Sequence, residues 1–297
     1  MTTFLDFKRL KHQDIDAKAW NACLSKQRYR LYTQLWYLNL VSPKWEALVW
    51  GDYEAVLALP LNKKVFWTFL QNPLLCQQIN ISGNQQIVDK TKLVDYLKST
   101  FDYVSFSSLN QFKDIIAKER CNQFLETKTY LETKAKRSLE SNLKKAQKAQ
   151  LNIIETEDVE QVFAFFRAHY HLNSSAISEK QWMFFKHIID NCHKLSKARL
   201  FFVEENQEKV FAVFGIQEQG VFYYLLNISN EIGRQKGASY FFIDQLIRQN
   251  KHIQLIDFEG SSIKGVQQFY RNFGAKEETY YQYHHNRLPF FLKWFKA

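Results

Sequence analysis

Residues 233–275 constrain this chain more than any other stretch. Gly233-Arg-Gln-Lys-Gly-Ala-Ser239 is a basic, glycine-containing turn, and Ala238–Gln249 after it carries apolar residues at helical spacing. A short apolar strand follows at Ile253–Phe258. A second helix, over about 263–273, runs into Phe269-Tyr-Arg-Asn-Phe-Gly-Ala275. Turn, helix, strand and helix in this order suit a β-sheet covered by helices. The turn also has a chemistry. A helix N-terminus presents unpaired N–H groups and partial positive charge, which suits a pyrophosphate. Gly233 and Gly237 permit close backbone approach, and Arg234 and Lys236 add charge. The stretch has neither the Gly-x-Gly-x-x-Gly of a dinucleotide fold nor the Gly-Lys-Ser/Thr of a P-loop.

The rest of the chain predicts a repeat of that order. Asp14–Lys26 reads as a helix with Ile15, Ala19, Ala22 and Cys23 on one face. Ala47–Trp50 and Glu54–Leu61 read as strands joined by Gly51-Asp52, with a third apolar run at Val65–Leu70. Leu93–Thr100 is the body of a helix with Asp89 as candidate N-cap; Asp102–Phe106 is a strand. Leu109–Glu119 reads as a helix striped by Phe112, Ile115 and Ile116, and Asn122–Leu131 as a strand. In the second half, Val159–Tyr170 and Lys180–His193 are amphipathic helices, followed by strands at Leu200–Glu204, Val210–Ile216 and Val221–Asn227. A last strand spans Thr279–Tyr283. Helix–strand–helix–strand thus occurs at 89–131 and again at 237–284. The expectation is an α/β chain of two tandem units, each a mixed central sheet flanked by helices. The boundaries read as a domain over 1–133, a basic connecting helix over 134–157 and a second domain over 158–297. A single domain with a long meander is the other reading of the same order.

Composition narrows the class. With 46% hydrophobic and 16% aromatic residues, the chain has ample material for packed cores. A formal charge of +10 favours anionic partners, whether nucleic acid, lipid surface or a phosphate-rich co-substrate. Cys23, Cys76, Cys121 and Cys192 form no C-x-x-C and have no His at zinc-finger spacing, so they read as buried thiols of a reducing compartment. His169-Tyr-His171 would point apart on a helix, and no metal site is expected. No signal-peptide core stands at the N-terminus and no apolar run spans a membrane, so a cytoplasmic protein is expected. The aromatic, basic tail from Leu288 to Ala297 reads as cover for a domain core, with contact to an anionic membrane surface as the alternative.

Two motifs carry a resemblance. Arg234-x-x-Gly237-x-Ser239, set between a strand and a helix, resembles the Arg/Gln-x-x-Gly-x-Gly/Ala turn of the GNAT N-acyltransferases, with Ser at the last small position. Tyr270-x-x-x-Gly274 keeps the Tyr–Gly spacing of that superfamily's later helix. A closer likeness is to its tandem members, the Fem-type aminoacyltransferases and the BioF2-like acetyltransferase domain. That likeness rests on Lys136–Leu151 and on Asp257-Phe-Glu-Gly-Ser-Ser-Ile-Lys-Gly265 leading into 269–275. It covers 134–283 well; the first 130 residues share only the order of elements.

The resemblance implies two GNAT-like units, only the second with a cofactor turn, since Ser82-Gly-Asn-Gln-Gln86 offers no Arg-x-x-Gly. It implies that Gly233, Arg234, Gln235, Lys236, Gly237, Ala238 and Ser239 hold the pyrophosphate of acyl-CoA, and that Tyr270 protonates the leaving thiolate. The acceptor would be a small-molecule or peptide amine, which must lose a proton before attack. Glu259, at a strand end, is the chosen base. Asp257 and Lys264 are candidate substrate contacts. Each of these residues also has a structural reading: a core tyrosine, a salt bridge or helix cap, an exposed lysine. Two other functions stay open. One is a Fem-type transferase using aminoacyl-tRNA on a peptidoglycan precursor, with the basic segment 134–148 meeting the tRNA. The other is a non-catalytic module that binds RNA or an anionic surface.

Overall fold

A computed structural model describes residues 4–25, 27–28, 30–64, 66–133, 137–170, 177–261 and 263–290. The chain forms two compact units, residues 1–120 with 279–297, and residues 121–278.

The first unit contains β1 (Phe7–Lys11), α1 (Ala17–Leu24), α2 (Leu35–Val41), β2 (Glu46–Trp50), β3 (Ala55–Leu59), β4 (Leu61–Lys64), β5 (Trp67–Gln71), β6 (Ser82–Gly83), α3 (Lys90–Thr100) and β7 (Tyr103–Ser108). Strands β1-β2-β3-β6 form an antiparallel sheet; β4 pairs antiparallel with β5, which runs parallel to β7. Alternation along β2 and β3 feeds two cores. Leu48, Trp50, Leu57 and Leu59 join Leu93, Val94 and Leu97 of α3, while Ala47, Val49, Val56 and Ala58 join Trp20, Leu24 and Leu38. The expected cap is present, with Asp89 accepting from Lys92 N at 3.0 Å.

The helix expected over 109–119 is absent. Asn110 Oδ1 accepts from Ile81 N at 2.7 Å, and Asp114 sits at φ +61, outside helical space. Strand β8 (Ile116–Glu126) begins instead at Ile116, which is exposed, and α4 (Thr127–Glu132) ends the segment that reads as a strand to Leu131. Side chain–backbone bonds here outcompete a weak helical stripe.

The second unit adds α5 (Arg137–Lys148), β9 (Asn152–Thr156), α6 (Val159–His169), α7 (Glu179–Lys194), β10 (Ala198–Glu205), β11 (Glu208–Glu218), β12 (Val221–Ser229), α8 (Glu231–Lys236), α9 (Ala238–Gln249), β13 (Leu255–Asp257) and α10 (Lys264–Asn272). Its strands stand in the order β8-β13-β12-β11-β10-β9. All neighbours are antiparallel except β12 and β13. α6 and α7 lie against β10, and α6 also against β11 and β12. Apolar residues of α5, α9 and α10 share one core with Phe201, Phe211, Phe222, Tyr224 and Ile256 of the sheet. α5 is therefore not a solvated connector: Leu139 and Ala146 are buried and the helix packs on α8 and α9.

The final strand, β14 (Lys276–Asn286), pairs with β7 from Tyr281↔Ser108 to Asn286↔Tyr103. Tyr283 is buried there, donating to Asn110 O at 2.8 Å and accepting from Phe112 N at 2.9 Å. So the boundaries lie near 120 and 278, where the sequence reading puts them at 133 and 157. Composition favours contiguous halves, but strand pairing returns the last segment to the first unit.

Candidate active site

The candidate site residues lie in the second unit, where β12 and β13 part. Their parallel pairing covers only Val221↔Leu255, Phe222↔Ile256 and Tyr223↔Asp257. β12 continues along β11 to Ser229, so from Tyr224 onward its other edge has no strand partner among the described residues. The β11 ladder passes from Phe214↔Leu226 to Ile216↔Tyr223, so Tyr224 and Leu225 stand opposite the single residue Gly215. This is a β-bulge, the device that turns a backbone group out of a ladder. Gly215 is required, since a Cβ there would lie 2.2 Å from Phe222 Cζ.

β13 stops through a tight turn. Asp257 is buried, and its Oδ1 accepts from Asn122 Nδ2 and from Glu259 N, both at 3.1 Å. Glu259 holds φ +62, a conformation that costs a non-glycine residue about 1 kcal/mol or more. Gly260 follows at φ +60, and a Cβ there would lie 2.2 Å from Cys121 O. Asp257 thus shapes the turn that presents Glu259. Stored backbone strain at a strand end is a mark of working sites.

Tyr270, from α10, lies over this turn. Its ring stacks on Phe258 with centroids 4.2 Å apart and planes 13° apart. Burial, and then the Glu259 carboxylate, hold its phenol above the ordinary range. Tyr224 approaches from β12, perpendicular to Phe258 at 6.0 Å and stacked on Phe242 at 6.0 Å. Burial, and then Tyr270, push the Tyr224 phenol well up. Tyr224 is 2% exposed and its hydroxyl has no hydrogen-bond partner among the described residues. The structure brings Glu259, Tyr270 and Asp257 together and adds Tyr224. In sequence, Tyr224 is one more aromatic in the apolar run Val221–Leu226, and nothing there marks its hydroxyl. Lys264 is the exposed first residue of α10, flanked by Ile263, which is also exposed, and Gly265, which has nothing within 4 Å of its Cβ position.

The α8–α9 turn divides by exposure. Asn230 caps α8, accepting from Gly233 N at 2.9 Å. Gly237, at φ +74, ends α8 and starts α9, whose first turn has no side-chain cap. Arg234 and Gln235 are exposed; Arg234 donates to Ser229 O at 2.8 Å. Lys236 pairs with Glu205 at 3.1 Å, and Ser239 is half-buried. Gly233 and Ala238 are interior, the former because a Cβ would lie 2.3 Å from Val210 O. Gly237 is covered by α5, with Asn142 O 3.2 Å from its Cβ position. The turn is therefore exposed on the side of Arg234 and Gln235 and covered by α5 at Gly237.

Comparison with known proteins bears on the fold. Residues 133–260 match the family model of the acetyltransferase (GNAT) domain. No curated protein matches the chain. Among solved structures, a conserved protein of unknown function from Bacteroides thetaiotaomicron VPI-5482 is similar at TM-score 0.61 and 12% identity, over 95% of this chain and 100% of that one. FemX is similar at TM-score 0.60 and 13% identity, over 94% and 98%. A tandem GNAT protein from the clavulanic acid biosynthesis pathway is similar at 0.55 and 8%, over 96% and 99%. By fold, this chain is a tandem GNAT-like α/β protein, similar to FemX and to the tandem GNAT protein, and the stretch that matches the GNAT domain model lies within its second unit. No described helix is long and apolar enough to cross a membrane.

Proposed function

We propose that this protein is an N-acyltransferase that moves an acyl group from acyl-CoA to an amine in the cytoplasm. The parting of β12 from β13, with a bulge at Tyr224–Leu225 and Tyr270 and Glu259 at its mouth, carries the reading. The free edge of β12 suits the amide-bearing arm of the donor, as an added strand suits any open sheet edge. Arg234, Gln235, Lys236 and the amides of Ser239 and its neighbours suit its pyrophosphate. A backbone N–H released at the bulge would face the acyl oxygen, where charge grows as the carbonyl is attacked.

Glu259 takes a proton from the ammonium, the neutral amine nitrogen bonds to the acyl carbon, and the remaining extra N–H proton passes to solvent as the adduct collapses to the amide. As the carbon–sulfur bond breaks, the Tyr270 hydroxyl gives its proton to the sulfur. Burial, and then the neighbouring carboxylate, keep Tyr270 protonated beforehand, as an acid requires. Asp257 holds the Glu259 turn, and Lys264, at the exposed start of α10, would meet an anionic acceptor.

The packing of α5 over Gly237 and Ala238 favours a second reading. With one side of the turn closed, the donor would be an aminoacyl-tRNA lying on the basic α5, as in a Fem-type transfer to a peptidoglycan precursor. Thiol release from acetyl-CoA, assayed with diamines, amino sugars and peptide amines, separates the two. Amine-dependent release supports acyl-CoA. Turnover of aminoacyl-tRNA alone moves the assignment to the second reading, and neither leaves a binding module.

A further inference from the structure

The Tyr224 hydroxyl is a buried polar group of the second unit that the packing does not explain. It is fully enclosed beside Phe242 and Phe258, yet no donor or acceptor among the described residues meets it. A buried hydroxyl without a partner destabilises the folded state, and phenylalanine would fill the same space without that cost. The residue also has a particular place. It is the first residue of β12 past the last pair with β13, and one of the two at the bulge. Tyr270, from α10, stacks on the same Phe258 ring that Tyr224 meets edge-on.

We infer that the Tyr224 hydroxyl is a second hydrogen-bond donor to the reacting group, sharing with Tyr270 the heteroatom that leaves. This rests on the acyltransferase reading and deepens it by assigning a residue that reading does not use. The two phenols divide the task. The amine nitrogen bonds to the acyl carbon, the bond from carbon to sulfur breaks, and its electron pair goes to sulfur. The Tyr270 proton moves to that sulfur, while Tyr224 donates a hydrogen bond and keeps its proton. Burial supports this division, since it disfavours a Tyr224 phenolate. Tyr270 recovers a proton from solvent as Glu259 gives one up. Tyr224 therefore finds its partner only when the site is filled, and the bond is strongest as negative charge grows on the leaving atom.

The test uses full-length protein, acetyl-CoA and the best amine acceptor, with Tyr224→Phe, Tyr270→Phe and the double variant. Tyr224→Phe is expected to lower kcat about 10- to 100-fold. Its KM and its calorimetric affinity for acetyl-CoA should stay within about threefold, because the interaction forms mainly at the transition state. Without ligand, its melting temperature should equal or exceed that of the wild type. The double variant should lose less than the product of the two single losses, as groups acting on one atom do. Wild-type turnover in Tyr224→Phe, with a raised melting temperature, would overturn the inference and make the hydroxyl a packing imperfection. Strictly multiplicative losses would overturn the shared target. Absence of thiol release by folded wild type would remove the acyl-CoA reading itself, a result distinct from either.

Discussion

Glu259, Gly260 and Tyr270 concentrate the account at the scale of single residues. Gly260→Ala places a Cβ against Cys121 O at a left-handed backbone position, and about 2 kcal/mol of stability should be lost in urea unfolding. Tyr270→Phe should leave the melting temperature near wild type and lower kcat by about 100-fold, the scale of a lost general acid. Glu259→Gln should also lower kcat, and it should remove the acidic limb of the pH–rate profile, which Tyr270→Phe leaves in place. In the first unit, His285 offers a pH test. Burial, and then the charges of Lys98, Arg287 and His284, hold its imidazole below the ordinary value. The unfolded chain binds that proton more readily, so the stabilising effect is full above the ordinary histidine pKa and fades as pH falls toward the folded value. Melting temperatures measured from pH 7 to 5 should fall, and His285→Gln should fall less.

Single elements show how much of this was readable beforehand. The α9 helix, the short β13, α10 and the strands around them follow from apolar period and from turn residues, and Asp89 caps α3 as its position suggests. The region 109–119 was not legible, because Phe112 and Ile115 mimic a helical stripe while Asn110 and Asp114 fix a turn. At the candidate site, Glu259 stands out by its strand end and Tyr270 only by its resemblance-based spacing to Gly274, and the structure sets the two near each other. The parting of β12 from β13 and the orphaned Tyr224 hydroxyl could not be read there, because both depend on pairing register rather than on local sequence. The glycines of the α8–α9 turn carry a related lesson. Gly233 and Gly237 read as ligand-facing, yet both are buried against backbone, so their substitution would disturb packing before it disturbed an anion. Asn230→Ala should cost about 1 kcal/mol by removing the cap of α8. Amide exchange should speed up in α8 more than in α9.

For the whole molecule, the return of residues 279–297 to the first unit is the feature that a linear division misses. A chain ending at Glu278 would lack Tyr283 and its bonds to Asn110 and Phe112. Near-UV dichroism should then report loss of packing around Trp20, Trp45 and Trp50, which are buried in that unit. Thiol chemistry gives a second global test. Cys23, Cys76 and Cys192 are buried, and burial pushes the Cys192 thiol up to about 12, so a disulfide reagent should label the half-buried Cys121 first. The acyl-CoA assignment is tested most directly by calorimetric titration of acetyl-CoA into the full-length protein and into an Arg234→Ala/Gln235→Ala variant, chosen because both side chains are exposed, with its melting temperature as the check on the lost Arg234–Ser229 bond. The account predicts saturable binding by the wild type, weakened about tenfold in the variant and further by salt. Folded wild-type protein that shows no binding would contradict it.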